Sequence, residues 1–193
     1  MKELRWITDN VCQYVFIENE DKPYIDVNIT ALINGENAML IDTAFANQAL
    51  VVKQELESKG ITVDEIVLSH HHPDHAAGAT EFPKAALSCS SHYENNFNNC
   101  NDIWHKEHDY RKPQQIILDN STKMYGNILL DFFETPGHSK CSIVTLIDSR
   151  IAHVGDLLMF DVDHKPTLPN ICGDGSFEDH IKSLEKIKEL GAE

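Results

Sequence analysis

The segment 61–69 contains Ile66-Val67-Leu68, a run that is apolar on both faces. A strand of this kind has to be covered on both sides, which is the condition of a parallel strand inside an α/β sheet. Directly after it the chain turns polar and crowded with imidazole: Ser69-His70-His71-His72-Pro73-Asp74-His75-Ala76-Ala77-Gly78. Side chains alternate along an extended chain, so His70 and His72 project to one side while His71 faces away. Pro73 and the small residues after it suit a helix beginning near Asp74, which turns Asp74 and His75 back towards the carboxyl end of the strand. Three imidazoles and a carboxylate then converge. This donor set suits zinc and also iron or manganese, whereas copper(I) would ask for thiolates.

Two later positions repeat the placement. His138 comes after the apolar segment 127–133 through Glu134-Thr135-Pro136-Gly137, and Asp156 comes after 151–154 through Gly155. Each stands just past the carboxyl end of an expected buried strand, where open α/β sheets place their sites. His71 is expected behind the cluster or towards solvent. Asp42-Thr43 admits two readings, a carboxylate supporting a metal-bound imidazole or a simple turn. His105 and His108 lie in a charged excursion and read as surface groups, with substrate contact as the other reading. His92, His153, His164 and His180 read as structural or exposed, and Cys172 as a core or loop thiol or a residue bordering the pocket.

Hydrophobic periodicity sketches the rest. Strands are expected over 11–18, 26–33 and 38–41, with a tight turn at Asn34-Gly35. A helix is expected over 46–59, with Leu50, Val51, Val52 and Leu56 at helical spacing and Gly60 just past its end. Residues 81–113 form the least regular part, with room for a short helix in 92–111. Further strands are expected over 115–118, 127–133, 142–147 and 151–154. The last element is a helix over 177–190, capped by Ser176 and striped by Ile181, Leu184, Ile187 and Leu190.

The pattern H-x-H-x-D-H, with Pro136-Gly137-His138 and then Gly155-Asp156 at a strand end, resembles the metallo-β-lactamase-fold hydrolases, particularly the branch of glyoxalase II-like thioesterases and lactonases. The likeness runs from Leu40-Ile41-Asp42-Thr43 through Gly155-Asp156-Leu157-Leu158. It implies an α/β (α+β) fold, the four-layer αββα sandwich, in a single domain over 1–193. It implies that His70, His72 and His138 bind one metal, Asp74 and His75 a second, and that Asp156 bridges them. Zinc, two ions, is the implied cofactor, with iron or manganese as alternatives, and Asp74 the implied catalytic carboxylate. Family members carry one more histidine after the final helix, and here the sequence closes on Leu190-Gly191-Ala192-Glu193. The expectation is a C-terminally incomplete domain whose second site is one ligand short. A shortened sequence, a ligand from another chain of a homo-oligomer and a one-metal protein are the three explanations.

The activity implied is hydrolysis of a small ester, thioester or lactone, since two metals about 3.5–4 Å apart hold a hydroxide at neutral pH and polarise a carbonyl oxygen. The same scaffold also supports a mononuclear iron sulfur-dioxygenase-like enzyme, and an inactive metal-binding protein is the third reading. Composition narrows the partners. The net charge of −15 over 193 residues, with no basic patch, speaks against nucleic acid and leaves a small-molecule substrate. The five cysteines include no C-x-x-C pair and read as reduced thiols. Neither an apolar signal region nor a membrane-length apolar stretch is seen, so a cytoplasmic protein without membrane association is expected.

Overall fold

The computed structural model describes residues 2–17, 26–102, 106–160, 165–171 and 173–191. Its strands are β1 (Lys2–Trp6), β2 (Val11–Ile17), β3 (Asp26–Asn34), β4 (Asn37–Ile41), β5 (Thr62–Val67), β6 (Ala86–Ser90), β7 (Gln115–Ile117), β8 (Ser121–Tyr125), β9 (Ile128–Glu134), β10 (Ile143–Ile147), β11 (Ile151–His153), β12 (Met159–Phe160) and β13 (Pro166–Thr167). The helices are α1 (Ala46–Ser58), α2 (Pro73–Ala76), α3 (Glu94–Asp102) and α4 (Phe177–Leu190). The chain gathers into two compact units: Met1–Leu68, His72–Ser88 and Phe97–Gln115 in one, Ser69–His71, Cys89–Asn96 and Ile116–Glu193 in the other. A seven-stranded sheet runs in sequence order from β1 to β7, a four-stranded sheet in the order β11-β10-β9-β8, and β12 pairs with β13. This is the mixed α+β composition that the sequence implies.

The antiparallel part of the large sheet is built from tight connections. β3 and β4 pair out to Asn34 and Asn37, which leaves the two-residue loop Gly35-Glu36, with Gly35 at φ 62°. Glycine takes that conformation without a Cβ penalty. β5 then lies between β4 and β6 and is parallel to both. Ile66, Val67 and Leu68 are buried to 2% exposure or less, as a strand flanked by parallel neighbours demands. The crossover from β4 to β5 is α1, closed by Lys59 and by Gly60 at φ 74°.

The structure turns two helices differently from the apolar spacing. α1 buries Gln48, Ala49, Val52 and Leu56, whereas Leu50 and Val51 are about two-fifths exposed. Its register is set by Gly78, where a Cβ would fall 2.6 Å from Ala49 Cβ and 2.1 Å from Thr43 O. α4 buries His180 and Ser183, while Ile181 of the expected stripe is 58% exposed. Its cap agrees with the sequence: Asp179 N–H donates to Ser176 Oγ at 3.3 Å, and Gly191 closes the helix at φ 62°. β1, β6, β8, β12 and β13 are additions to the expected strands. β6 reads Ala-Leu-Ser-Cys-Ser and is nearly all buried, its small polar residues hiding it inside the segment taken as irregular. The short helix expected there is α3.

Gly78→Ala is expected to destabilise the fold by about 1–3 kcal/mol, since neither the Thr43 carbonyl nor Ala49 can withdraw without moving α1. A lowered urea midpoint with an unchanged slope checks it.

Candidate metal centre

His70, His138 and Asp156 belong to one unit and meet there. The ring centroids of His70 and His138 lie 4.9 Å apart, edge to face. His138 Nε2 is 3.5 Å from Asp156 Oδ2. Ser69 O accepts from Ile143 N–H at 2.8 Å, which fixes the start of the histidine run to β10. Gly155 brings Asp156 in: at φ 51°, its Cβ position would be 2.7 Å from Ser69 Oγ and 3.9 Å from His70 Nδ1. A side chain there would push the two segments apart, so the position demands glycine twice over.

The other unit carries the rest of the run. His72 is the extended residue before α2, and Pro73 takes the first helical position, as the sequence suggests. Asp74 Oδ2 lies 3.6 Å from His75 Nε2. His75 is anchored by the loop after β4, where Asp42 Oδ2 lies 2.9 Å from its Nδ1 and Thr43 donates to its carbonyl through both N–H and Oγ1, each at 2.8 Å. The reading of Asp42 as a support for an imidazole therefore matches its placement. The loop adopts left-handed backbone at Asp42 (φ 62°) and Ala44 (φ 52°). Aspartate tolerates this region and alanine does not, at a cost of order 1–3 kcal/mol. Bonds from Asp42 N–H to Val67 O and from Gly78 N–H to Ala44 O, at 2.9 and 2.8 Å, help hold it in place.

Within the unit that holds them, His70 has a ligand-type atom within 4.8 Å of one on His138 and within 4.8 Å of one on Asp156. Imidazoles and a carboxylate are nitrogen and oxygen donors of the kind zinc takes. The ring orientations fit a metal as well. His138 Nδ1 faces Asn170 O at 2.6 Å, His75 Nδ1 faces Asp42, and His70 Nδ1 lies 3.1 Å from Ser69 Oγ. A backbone carbonyl and a carboxylate only accept, so Nδ1 of His138 and His75 carries the proton and the Nε2 lone pair is left to bind a cation. The residues present therefore fit a metal cofactor.

The remaining histidines fall elsewhere. His71 is fully buried rather than facing solvent: its N–H donates to Cys141 Sγ at 3.3 Å, and its ring lies 6.4 Å from that of Tyr93. The Cys141 thiol is held below its ordinary pKa by a hydrogen bond from Cys89, against the opposing effect of burial. Cys12, Cys89, Cys100 and Cys141 are buried, and none is in a disulfide among the described residues. His92 is exposed, 3.8 Å from Glu134. His108 is half-buried against Phe45 and Tyr110, with centroids 5.2 and 6.5 Å away, and His153 is half-buried. His105, His164 and Cys172 lie outside the described residues. Sequence reasoning missed Ser69, Asn170 and Gly155 as parts of the site. Only Gly155, beside a ligand candidate, left a signal.

A family profile, the metallo-beta-lactamase superfamily, matches residues 24–193. The chain belongs to the metallo-β-lactamase superfamily. Among curated proteins it is similar to a probable hydroxyacylglutathione hydrolase of Schizosaccharomyces pombe, 26% identical over 129 residues, which cover 63% of this chain and 44% of that protein. The chain thus matches less than half the length of that relative. Among solved structures it resembles a metallo-beta-lactamase from Pontibacter korlensis (TM-score 0.78, 17% identity, 98% of this chain and 86% of that one). It also resembles a metallo-beta-lactamase family protein from Thermus thermophilus (TM-score 0.74, 19% identity, 94% and 72%). These likenesses show that the fold is the metallo-β-lactamase fold. Among the described residues no helix is long and apolar enough to cross a membrane.

Asp42→Asn keeps a residue that tolerates the left-handed backbone but removes the charge facing His75. Affinity for zinc, measured by competition with a chromophoric chelator, is expected to fall about 10–100-fold.

Proposed function

We propose that this superfamily member is a zinc-dependent hydrolase of a small thioester, ester or lactone. The observation that carries the reading is the His138 ring, whose Nδ1 faces the Asn170 carbonyl while its Nε2 lies 3.5 Å from Asp156 Oδ2. In this reading His70, His72 and His138 would hold one ion, Asp74 and His75 a second, and Asp156 would serve both. A zinc ion, when bound, supplies a water acidified towards neutrality and an electrophile for a carbonyl oxygen. The chain's own residues supply orientation. Asp42 keeps the His75 proton on Nδ1, and the Asn170 carbonyl does the same for His138. Asp74, with its side chain 43% exposed, would also orient the attacking water and take its proton. A thioester substrate is supported by the hydroxyacylglutathione hydrolase relative, whose name describes a thioester hydrolase. A small-molecule substrate fits the net charge of −15, which disfavours polyanions.

One observation favours a second reading. His70, with Asp156 in the same unit, and His75 of the histidine run supply two imidazoles and one carboxylate, the ligand types of mononuclear iron oxygenases. Metal analysis of protein purified without added metal separates the two: about two zinc per chain supports the hydrolase, and one iron supports the oxygenase.

His138→Ala and Asp156→Ala are each expected to lose metal and turnover together, assayed on S-lactoylglutathione, a p-nitrophenyl ester and a simple lactone. Chelation of the parent protein should have the same effect and be reversed by zinc. Full activity in either variant overturns the site assignment.

A further inference from the structure

The turn that carries His138 is pressed from behind by one face of α4. A Cβ on Gly137 would lie 2.5 Å from His180 Cα, 2.7 Å from its Cβ and 2.8 Å from its Nδ1, so turn and helix meet with no room for a methyl group. One helical turn on, Ser183 Oγ donates to Pro136 O at 2.7 Å. The residue before α4, Ser176, donates its N–H to Gly137 O at 2.8 Å. A Cβ on Gly175 would sit 2.3 Å from Gly137 O and 2.5 Å from His138 O, so the chain leading into the helix closes on Gly137 and His138.

His180 is unusual within this packing. It is 2% exposed, and neither ring nitrogen has a hydrogen-bond partner among the described residues. Such a group is costly to bury, and an apolar side chain would avoid the cost. With no partner for either nitrogen, the ring contributes to this packing by its shape.

We propose that His180 and Ser183 are positioning residues for His138, a brace that fixes the Pro136–Gly137–His138 turn and thereby holds the His138 Nε2 towards His70 and Asp156. This rests on the reading of His138 as a metal-holding residue. It adds that the affinity of the centre is set partly by a helix face that donates no ligand.

The test reads metal binding rather than turnover: zinc affinity by competition with a chromophoric chelator, and the visible absorption of the cobalt(II)-loaded protein. Circular dichroism confirms that each variant is folded. His180→Ala is expected to weaken zinc binding about tenfold or more and to shift the cobalt bands, in the range seen when groups behind a ligand are removed. Ser183→Ala, a smaller change that keeps the helix packing, is expected to weaken it about threefold, and it carries the test if His180→Ala does not fold. His180→Phe restores a planar ring without nitrogens, and should recover the parent's affinity and raise its melting temperature. Parent-like zinc affinity and cobalt spectra in folded His180→Ala and Ser183→Ala overturn the brace. So does a His180→Phe variant as impaired as His180→Ala, because the ring nitrogens would then be the active feature. His138→Ala separates the two levels: if it binds zinc like the parent, the metal-centre reading fails, and if it alone is impaired, only the brace fails.

Discussion

The candidate metal centre depends on where β5 stops and on what its buried position forces on the chain that leaves it. A strand paired on both sides with parallel neighbours has no free edge, so the residues after Val67 exit at the carboxyl end of the sheet. Leu68 is the last residue of the apolar run, and Ser69 is already tied to β10 through Ile143. The six residues His70 to His75 then run from extended backbone into a proline-initiated turn of helix. The rings of His75 and His138 are each locked by a different acceptor, a carboxylate and a main-chain carbonyl, while His70 Nδ1 lies beside the Ser69 hydroxyl. The acceptors differ but their effect is shared, since a ring fixed at Nδ1 has one direction left in which to offer Nε2.

The strain in the loop after β4 belongs to the same arrangement. Asp42 and Ala44 adopt a backbone that non-glycine residues avoid, and the bonds that hold them there are the bonds that hold His75. Strain persists where surrounding structure over-determines it. Here the determinants are the end of β5, the carbonyl of His75 and the close approach of Gly78 to Thr43. Asp42 suits the position on two counts, as a residue tolerant of left-handed backbone and as the carboxylate that faces Nδ1.

Much of this was legible in the sequence, and the boundary is physical. β5 and the histidine run were legible because a doubly apolar strand and a period-two imidazole pair are local patterns. So was α4, whose Ser176 cap and Gly191 end are local chemistry. Helix faces were not: Leu50 and Val51 on α1, and Ile181 on α4, sit at apolar spacing, yet tertiary contacts at Ala49 and at Gly137 choose another face. β6 escaped because residues such as Ser88 and Ser90 are buried by its neighbours rather than by their own character. His71 was placed away from the metal-facing side by alternation, but its full burial beside Cys141 and Tyr93 depends on segments far away in sequence. Asn170 could not be read at all, because it contributes a backbone oxygen that every residue possesses.

That anonymity has a consequence for how such a protein diversifies. The acceptor that orients His138 is main chain, so the side chain at position 170 is not committed to the metal. Gly155 is the opposite case, a position closed by geometry to every alternative. Sequence change in the segment around Asn170 can therefore reshape the surface beside the centre while the imidazole keeps its aim, provided the carbonyl stays where it is. The scaffold separates what must be kept from what can drift, and it does so at the level of which atoms carry the contact.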